Sequence, residues 1–227
     1  MDNEPQSFQV HVPEPDLVDL RGRLSRTRFP DQAPGPAWAY GTDLEWMRDL
    51  VRYWKNGFDW RAQEARLNAF PQFKVRLHDI DVHFLKVEGR GPAPLPLLLS
   101  HGWPGSVFEF LDIVPRLADP GAYGADPADA FTVIAPSLPG YGFSFLSGQR
   151  RFGVEEIADS FAQLMTDVLG YERFGAQGGD WGAFITSRMA FSYPERLIGI
   201  HLNLMPLRRD PKMVSDPTDE EQNTSSS

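Results

Sequence analysis

The order of apolar and polar positions changes character along the chain. From about residue 8 to 70 the apolar residues recur three or four apart, which predicts helices over Pro15–Arg26, Asp43–Lys55 and Trp60–Phe70. In the second of these, Leu44, Met47, Leu50, Val51 and Trp54 share one face. The intervening stretch holds Pro30, Pro34, Gly35 and Pro36, which cannot continue a helix, and it reads as a crossing segment. The period then shortens to two. Phe73, Val75 and Leu77, then Val82, Phe84 and Val87, alternate with polar residues about a junction at Asp79, as an antiparallel strand pair does. Beyond it strands and helices alternate: strands at Leu97–Ser100, Phe131–Ala135, Phe174–Gly178 and Leu197–Leu204, and helices at Val107–Leu117, Glu155–Leu169 and Asp180–Ser192. Strands separated by helices imply a mostly parallel sheet covered on both faces, an α/β architecture. The expected organisation is an N-terminal helical lobe over 1–70, an α/β core over 71–207 and a polar tail over 208–227 with no apolar period.

Composition narrows the chemistry. The chain has 227 residues, 41% of them apolar, enough for a sizeable core. Twenty-two basic against thirty-one acidic residues give a net charge of −9. That balance repels phosphate backbones and anionic lipid, and no basic cluster overrides it, so neither nucleic acid nor a membrane is expected as partner. With no cysteine there is no disulfide framework, thiolate nucleophile or thiolate-bound zinc. The acidic N-terminus does not read as a secretory signal, and the longest aliphatic run, around Leu97-Leu98-Leu99, falls far short of the roughly 20 residues a spanning helix needs. A soluble, cytoplasmic protein is the expectation. His78 and His83 suggest a metal pair only superficially, because an odd spacing on extended chain sends them to opposite faces. No metal and no cofactor is implied.

The chemistry concentrates in three segments. Gly178-Gly179-Asp180-Trp181-Gly182 stands at a strand-to-helix junction, where a nucleophile flanked by very small residues forms a turn that lifts its side chain clear of the strand end. The helix N-terminus there favours an anion. Asp is also a favoured N-cap, and the elbow taken alone leaves both readings open. His101-Gly102-Trp103-Pro104-Gly105 directly follows a strand, where a hydrolase of this kind places its oxyanion loop, so that the backbone N–H groups of Trp103 and Trp181 would converge on one oxygen. The His101 side chain itself reads as a loop histidine with satisfied hydrogen bonds. The third segment, Pro136 to Ser144, is a proline- and glycine-rich loop whose weight comes from its order relative to the other two.

Taken together, these motifs resemble the epoxide hydrolases of the α/β-hydrolase superfamily. The N-terminal residues narrow the resemblance to the microsomal-type branch with its distinctive lobe: Phe8, Val10 and Val12; Leu24, Thr27, Arg28 and Pro30; Trp38, Tyr40 and Gly41; Tyr53-Trp54; Phe58-Asp59-Trp60-Arg61; and Leu67-Asn68. The resemblance implies Asp180 as nucleophile, Trp103 and Trp181 as backbone oxyanion donors, a small apolar epoxide and water as reactants, and no cofactor. A carboxylate suits this reaction because it displaces at saturated carbon and is regenerated by hydrolysis of the resulting ester, whereas serine would be left as an ether. Haloalkane dehalogenation uses the same logic; the lobe favours the epoxide.

The resemblance also implies a helical cap bearing tyrosines, and an acid–histidine pair that follows the elbow. After Asp180 the only histidine is His201, which reads as a strand residue among Ile200, Leu202 and Leu204. About six of the family's eight strands are legible, and the chain is expected to stop where the cap would begin. Three expectations follow: an incomplete epoxide hydrolase with little turnover alone, half of a split enzyme completed by a second chain, or a non-catalytic interaction module. A homo-oligomer stays open.

Overall fold

The computed structural model describes residues 4–205, so the predicted polar tail at 208–227 lies outside the described residues. The chain forms two compact units: Ser7–Gln72, and the remainder, made of Met1–Gln6 and Phe73–Ser227. Among the described residues no helix is long and apolar enough to cross a membrane.

Three helices make up the first unit, α1 (Glu14–Ser25), α2 (Leu44–Asn56) and α3 (Trp60–Asn68). Asp43 and Asp59 cap α2 and α3, their carboxylates accepting the N–H groups of Trp46 and Ala62 at 2.9 and 3.0 Å. The segment before α1 is tied down by α3. Asn68 brackets Val10, accepting its N–H and donating to its carbonyl, both at 2.8 Å. One turn earlier the buried Glu64 accepts the Val12 N–H at 2.7 Å, the Trp60 indole N–H at 3.0 Å and the Arg61 guanidinium at 2.6 Å. These bonds explain why Trp60, Arg61 and Asn68 sit where they do: each keeps the extended N-terminal segment on the helix. The α2 stripe forms as its period predicts, but none of its side chains is buried, and Trp46, Leu50 and Trp54 stand exposed.

The second unit is built on a mixed and mostly parallel sheet between helices, the expected α/β architecture. Its strands are β1 (Gln6–Ser7), β2 (Gln72–Leu77), β3 (Ile80–Val87), β4 (Leu95–Ser100), β5 (Phe131–Pro136), β6 (Phe174–Gly178) and β7 (Leu197–Leu202), in the order β1-β2-β3-β5-β4-β6-β7. Among the described residues seven strands rather than six are present, because a two-residue strand such as β1 shows no period. The β2–β3 turn is made by His78 and Asp79, both at positive φ (48° and 66°), as a tight two-residue hairpin requires. His78 therefore lies in an exposed turn and not on a strand. It is the turn, rather than alternation, that separates it from His83, and no group of residues suited to hold a metal occurs among the described residues.

Helices cover both faces of the sheet. Ile157, Phe161, Leu164 and Met165 of α5 (Val154–Gln163) and its continuation, with Ile185 and Met189 of α6 (Trp181–Ser192), pack on Leu98, Ile134 and Ala176. The helix expected over Val107–Leu117 is broken into a 3₁₀ turn (Val107–Phe110) and α4 (Val114–Ala118). Pro115 accounts for the break, since it has no N–H to donate and its ring crowds the carbonyl four residues earlier. Past Gln163, α5 widens into a π turn, with the Leu169 N–H reaching back to the Leu164 carbonyl at 3.0 Å.

His83 on β3 is fully buried and locks the third sequence motif to the sheet. Its ring Nδ1 pairs with Ser137 Oγ at 2.9 Å, and its N–H donates to Ser144 Oγ, which donates in turn to the Ser137 carbonyl. Burial, aided by the charge of Lys74, lowers its pKa to about 3. Because the folded pKa lies below the unfolded value of 6.5, this neutral histidine supports the fold fully above pH 6.5 and progressively less as pH falls toward 3. Urea denaturation should therefore show a stability loss approaching about 1.4 kcal/mol per pH unit from this one proton below pH 6. His83→Asn should be less stable at pH 7 and lose less on acidification; an unchanged pH slope would refute the role.

Candidate active site

The sheet order makes the site. β4 lies between β5 and β6, both parallel to it, so the connections leaving β4 and β5 diverge and open a crevice beyond the strand ends. Ser100 pairs with Gly178, so β4 and β6 end level with each other. The His101–Gly105 loop and the Gly179–Trp181 turn thereby emerge side by side.

Glycine at two positions is a matter of contact. A Cβ at Gly182 would stand 2.0 Å from the Ser100 carbonyl oxygen, and one at Gly178 would stand 2.0 Å from the Gly182 carbonyl oxygen. The start of α6 is thus pressed directly against β4 and β6. Gly102 is required for a different reason, since a Cβ there would meet the Asp180 carboxylate at 2.5 Å. Gly179 is not so constrained: a Cβ would make ordinary contact with Asn203 at 3.5 Å.

Asp180 takes φ 50° and ψ −124°, a strained conformation for a residue with a side chain. It makes no side-chain cap on α6, so its place is not that of an ordinary N-cap. Its Oδ1 instead accepts the Trp103 N–H at 2.8 Å, and the Trp181 N–H faces the same carboxylate. The Trp103 N–H first and the Trp181 N–H second hold its pKa below the ordinary aspartate value against an opposing effect of burial. The side chain is an exposed, ionised carboxylate facing two backbone donors.

His101 orients one of those donors. Its Nε2 accepts the Leu138 N–H at 3.0 Å, which leaves Nδ1 protonated to donate to the Gly102 carbonyl at 2.9 Å. The Gly102 carbonyl and the Trp103 N–H belong to one planar trans peptide and point opposite ways, so the ring's pull on the first aims the second at Asp180. Burial lowers the His101 pKa, keeping it in this neutral form.

Asp180 faces a cavity of about 930 Å³ lined by Leu97, Leu99, Phe110, Ile113 and Phe131 among others. Trp103, Pro104, Gly102 and Gly179 border it; Trp181 carries its N–H at the elbow itself. Two ionisable residues outside the motifs also reach this space. Glu109 belongs to the 3₁₀ turn, and its only sequence signal is a carboxylate four residues past a glycine loop. His201 on β7 is exposed and lies beside Gln177, joining the cavity although strand alternation gave no hint of it.

The family model for the epoxide hydrolase N terminus matches residues 5–110, and that for the alpha/beta hydrolase fold matches 96–224. The chain belongs to the α/β-hydrolase fold family. Among curated relatives, Epoxide hydrolase 1 of Oryctolagus cuniculus is 38% identical over 92% of this chain and 47% of its own length. Two solved structures are similar. Aspergillus niger epoxide hydrolase superposes with a TM-score of 0.80 at 32% identity, covering 96% of this chain and 56% of that one. Juvenile hormone epoxide hydrolase of the silkworm Bombyx mori gives 0.78 at 33%, covering 89% and 53%. The chain spans about half the length of the curated relatives it matches.

The contact distances separate the glycines of this hydrolase elbow. Gly182→Ala should cost about 3 kcal/mol or more in chemical denaturation, since backbone must move, whereas Gly179→Ala should stay within about 1 kcal/mol of the parent. Equal costs would contradict the packing described.

Proposed function

We propose that this chain is the nucleophile-bearing part of an epoxide hydrolase, in which Asp180 opens an epoxide to an alkyl ester that water then cleaves to a vicinal diol. The observation that carries the proposal is a strained, ionised carboxylate bonded by the Trp103 N–H and faced by the Trp181 N–H at the edge of an apolar cavity. The match to the epoxide hydrolase N terminus and the similarity to epoxide hydrolases support it.

In the first step a carboxylate oxygen of Asp180 attacks a ring carbon, the C–O bond of the strained ring breaks, and the released alkoxide takes a proton. Oδ1 is occupied by the Trp103 N–H, which leaves Oδ2 to attack and Oδ1 to become the ester carbonyl oxygen. In the second step water adds to that carbonyl carbon. The resulting oxyanion keeps the Trp103 and Trp181 donors, each worth roughly 3 kcal/mol in comparable sites. The acyl–oxygen bond then breaks, giving the diol and restoring the carboxylate with one oxygen from water. Among the described residues no carboxylate is hydrogen-bonded to His201, and the proposed second step takes its paired base from outside them. The 227-residue chain is accordingly proposed to form the ester and release it slowly, a complementing segment being needed for turnover.

Incubation with an aryl epoxide should add one substrate mass to the peptide bearing Asp180, and Asp180→Asn should abolish the addition. The low pKa of Asp180 fixes the pH dependence: the rate should be flat from neutral pH downward and fall only as pH drops through a value below the ordinary aspartate range. Haloalkanes should release no halide. An adduct on another residue, or rapid sustained diol production by the isolated chain, would overturn the proposal.

A further inference from the structure

The residue left without a part in this scheme is Glu109. It belongs to the 3₁₀ turn Val107–Phe110, whose backbone is anchored by the buried Val107 and Phe110 and whose start is capped by Ser106. From that fixed base the carboxylate reaches back over the oxyanion loop. It faces the Gly102 N–H, and Oε2 lies 2.7 Å from where a Cβ on Gly105 would stand. Gly105 thus leaves the space that the carboxylate occupies. Gly102 is consequently flanked on both sides, its N–H facing Glu109 and its carbonyl bonded to the His101 ring at 2.9 Å. Two successive peptide planes are contacted, and the second carries the Trp103 N–H.

We propose that Glu109 is a positioning residue of the active site: by accepting the Gly102 N–H it fixes the oxyanion loop and aims the Trp103 N–H at Asp180. The proposal rests on the reaction assigned above. Burial raises the Glu109 pKa, the Gly102 N–H opposes that rise, and the Asp180 charge adds to it. Asp180 is held low, so over the acidic range it ionises first and Glu109 second. The acceptor role needs an oxygen rather than a charge, which separates two substitutions. Glutamine retains a carbonyl oxygen for the Gly102 N–H; alanine does not.

Single-turnover ester formation on Asp180 should slow about tenfold in Glu109→Ala but stay within about twofold of the parent in Glu109→Gln. Gly105→Ala, which displaces the carboxylate without removing it, should fall between them. An independent readout is the Gly102 amide in a ¹H–¹⁵N NMR pH titration. It should shift with an inflection above that of Asp180 in the parent and lose this inflection in Glu109→Gln. Equal slowing by Gln and Ala, or a Gly102 amide whose titration is the same in parent and Glu109→Gln, would overturn the positioning role. A Gly102 amide that titrates as described, with no Asp180 adduct in any variant, would uphold the Glu109 contact and overturn the epoxide reading instead.

Discussion

Everything at the site depends on one close approach, that of the first turn of α6 to the end of β4 and β6. Gly182 lies against the Ser100 carbonyl and Gly178 against Gly182, distances that no side chain permits. Because the helix begins so abruptly, Asp180 is forced into positive φ and its carboxylate projects past the strand ends instead of folding back to cap the helix. There it meets the Trp103 N–H from the neighbouring turn. The strain is maintained by the packing of α6 and α5 on the sheet core, so local distortion and global stability are parts of the same arrangement.

A second layer of bonds sets direction rather than strain. His101 is tied to Leu138 on the next loop and grips the Gly102 carbonyl; Glu109 faces the Gly102 N–H; His83 fastens the Ser137–Ser144 loop to β3. The His101–Gly105 and Pro136–Ser144 segments are thus bound to the strands and to each other through buried, neutral imidazoles. Neutrality matters, since a charged ring at His101 could not accept from Leu138 while donating to Gly102.

Much of this was legible in the residue pattern, and for identifiable reasons. The elbow shows because sterics leave almost no choice at Gly178 and Gly182, and the strand–helix alternation shows because both sheet faces are covered. The break at Pro115 was equally available in the sequence but was masked by the apolar spacing around it. The two-residue β1, the π turn after Gln163, and the arrival of Glu109 and His201 at the cavity were not legible. Each depends on register or on a fold-back between distant segments, which local periodicity does not encode. The lobe offers the converse case: Trp60, Arg61 and Asn68 were recognisable as a pattern, while their work of holding Val10 and Val12 through Glu64 and Asn68 appears only in three dimensions.

The central claim is that one pair of backbone donors serves both the resting carboxylate and the ester formed from it. The most direct measurement is a crystal structure of the chain after reaction with an aryl epoxide. The account predicts continuous density from Asp180 Oδ2 to a substrate carbon, with the ester carbonyl oxygen within hydrogen-bond distance of the Trp103 and Trp181 N–H groups. An ester on any other side chain, or one on Asp180 whose carbonyl points away from both donors, would contradict it.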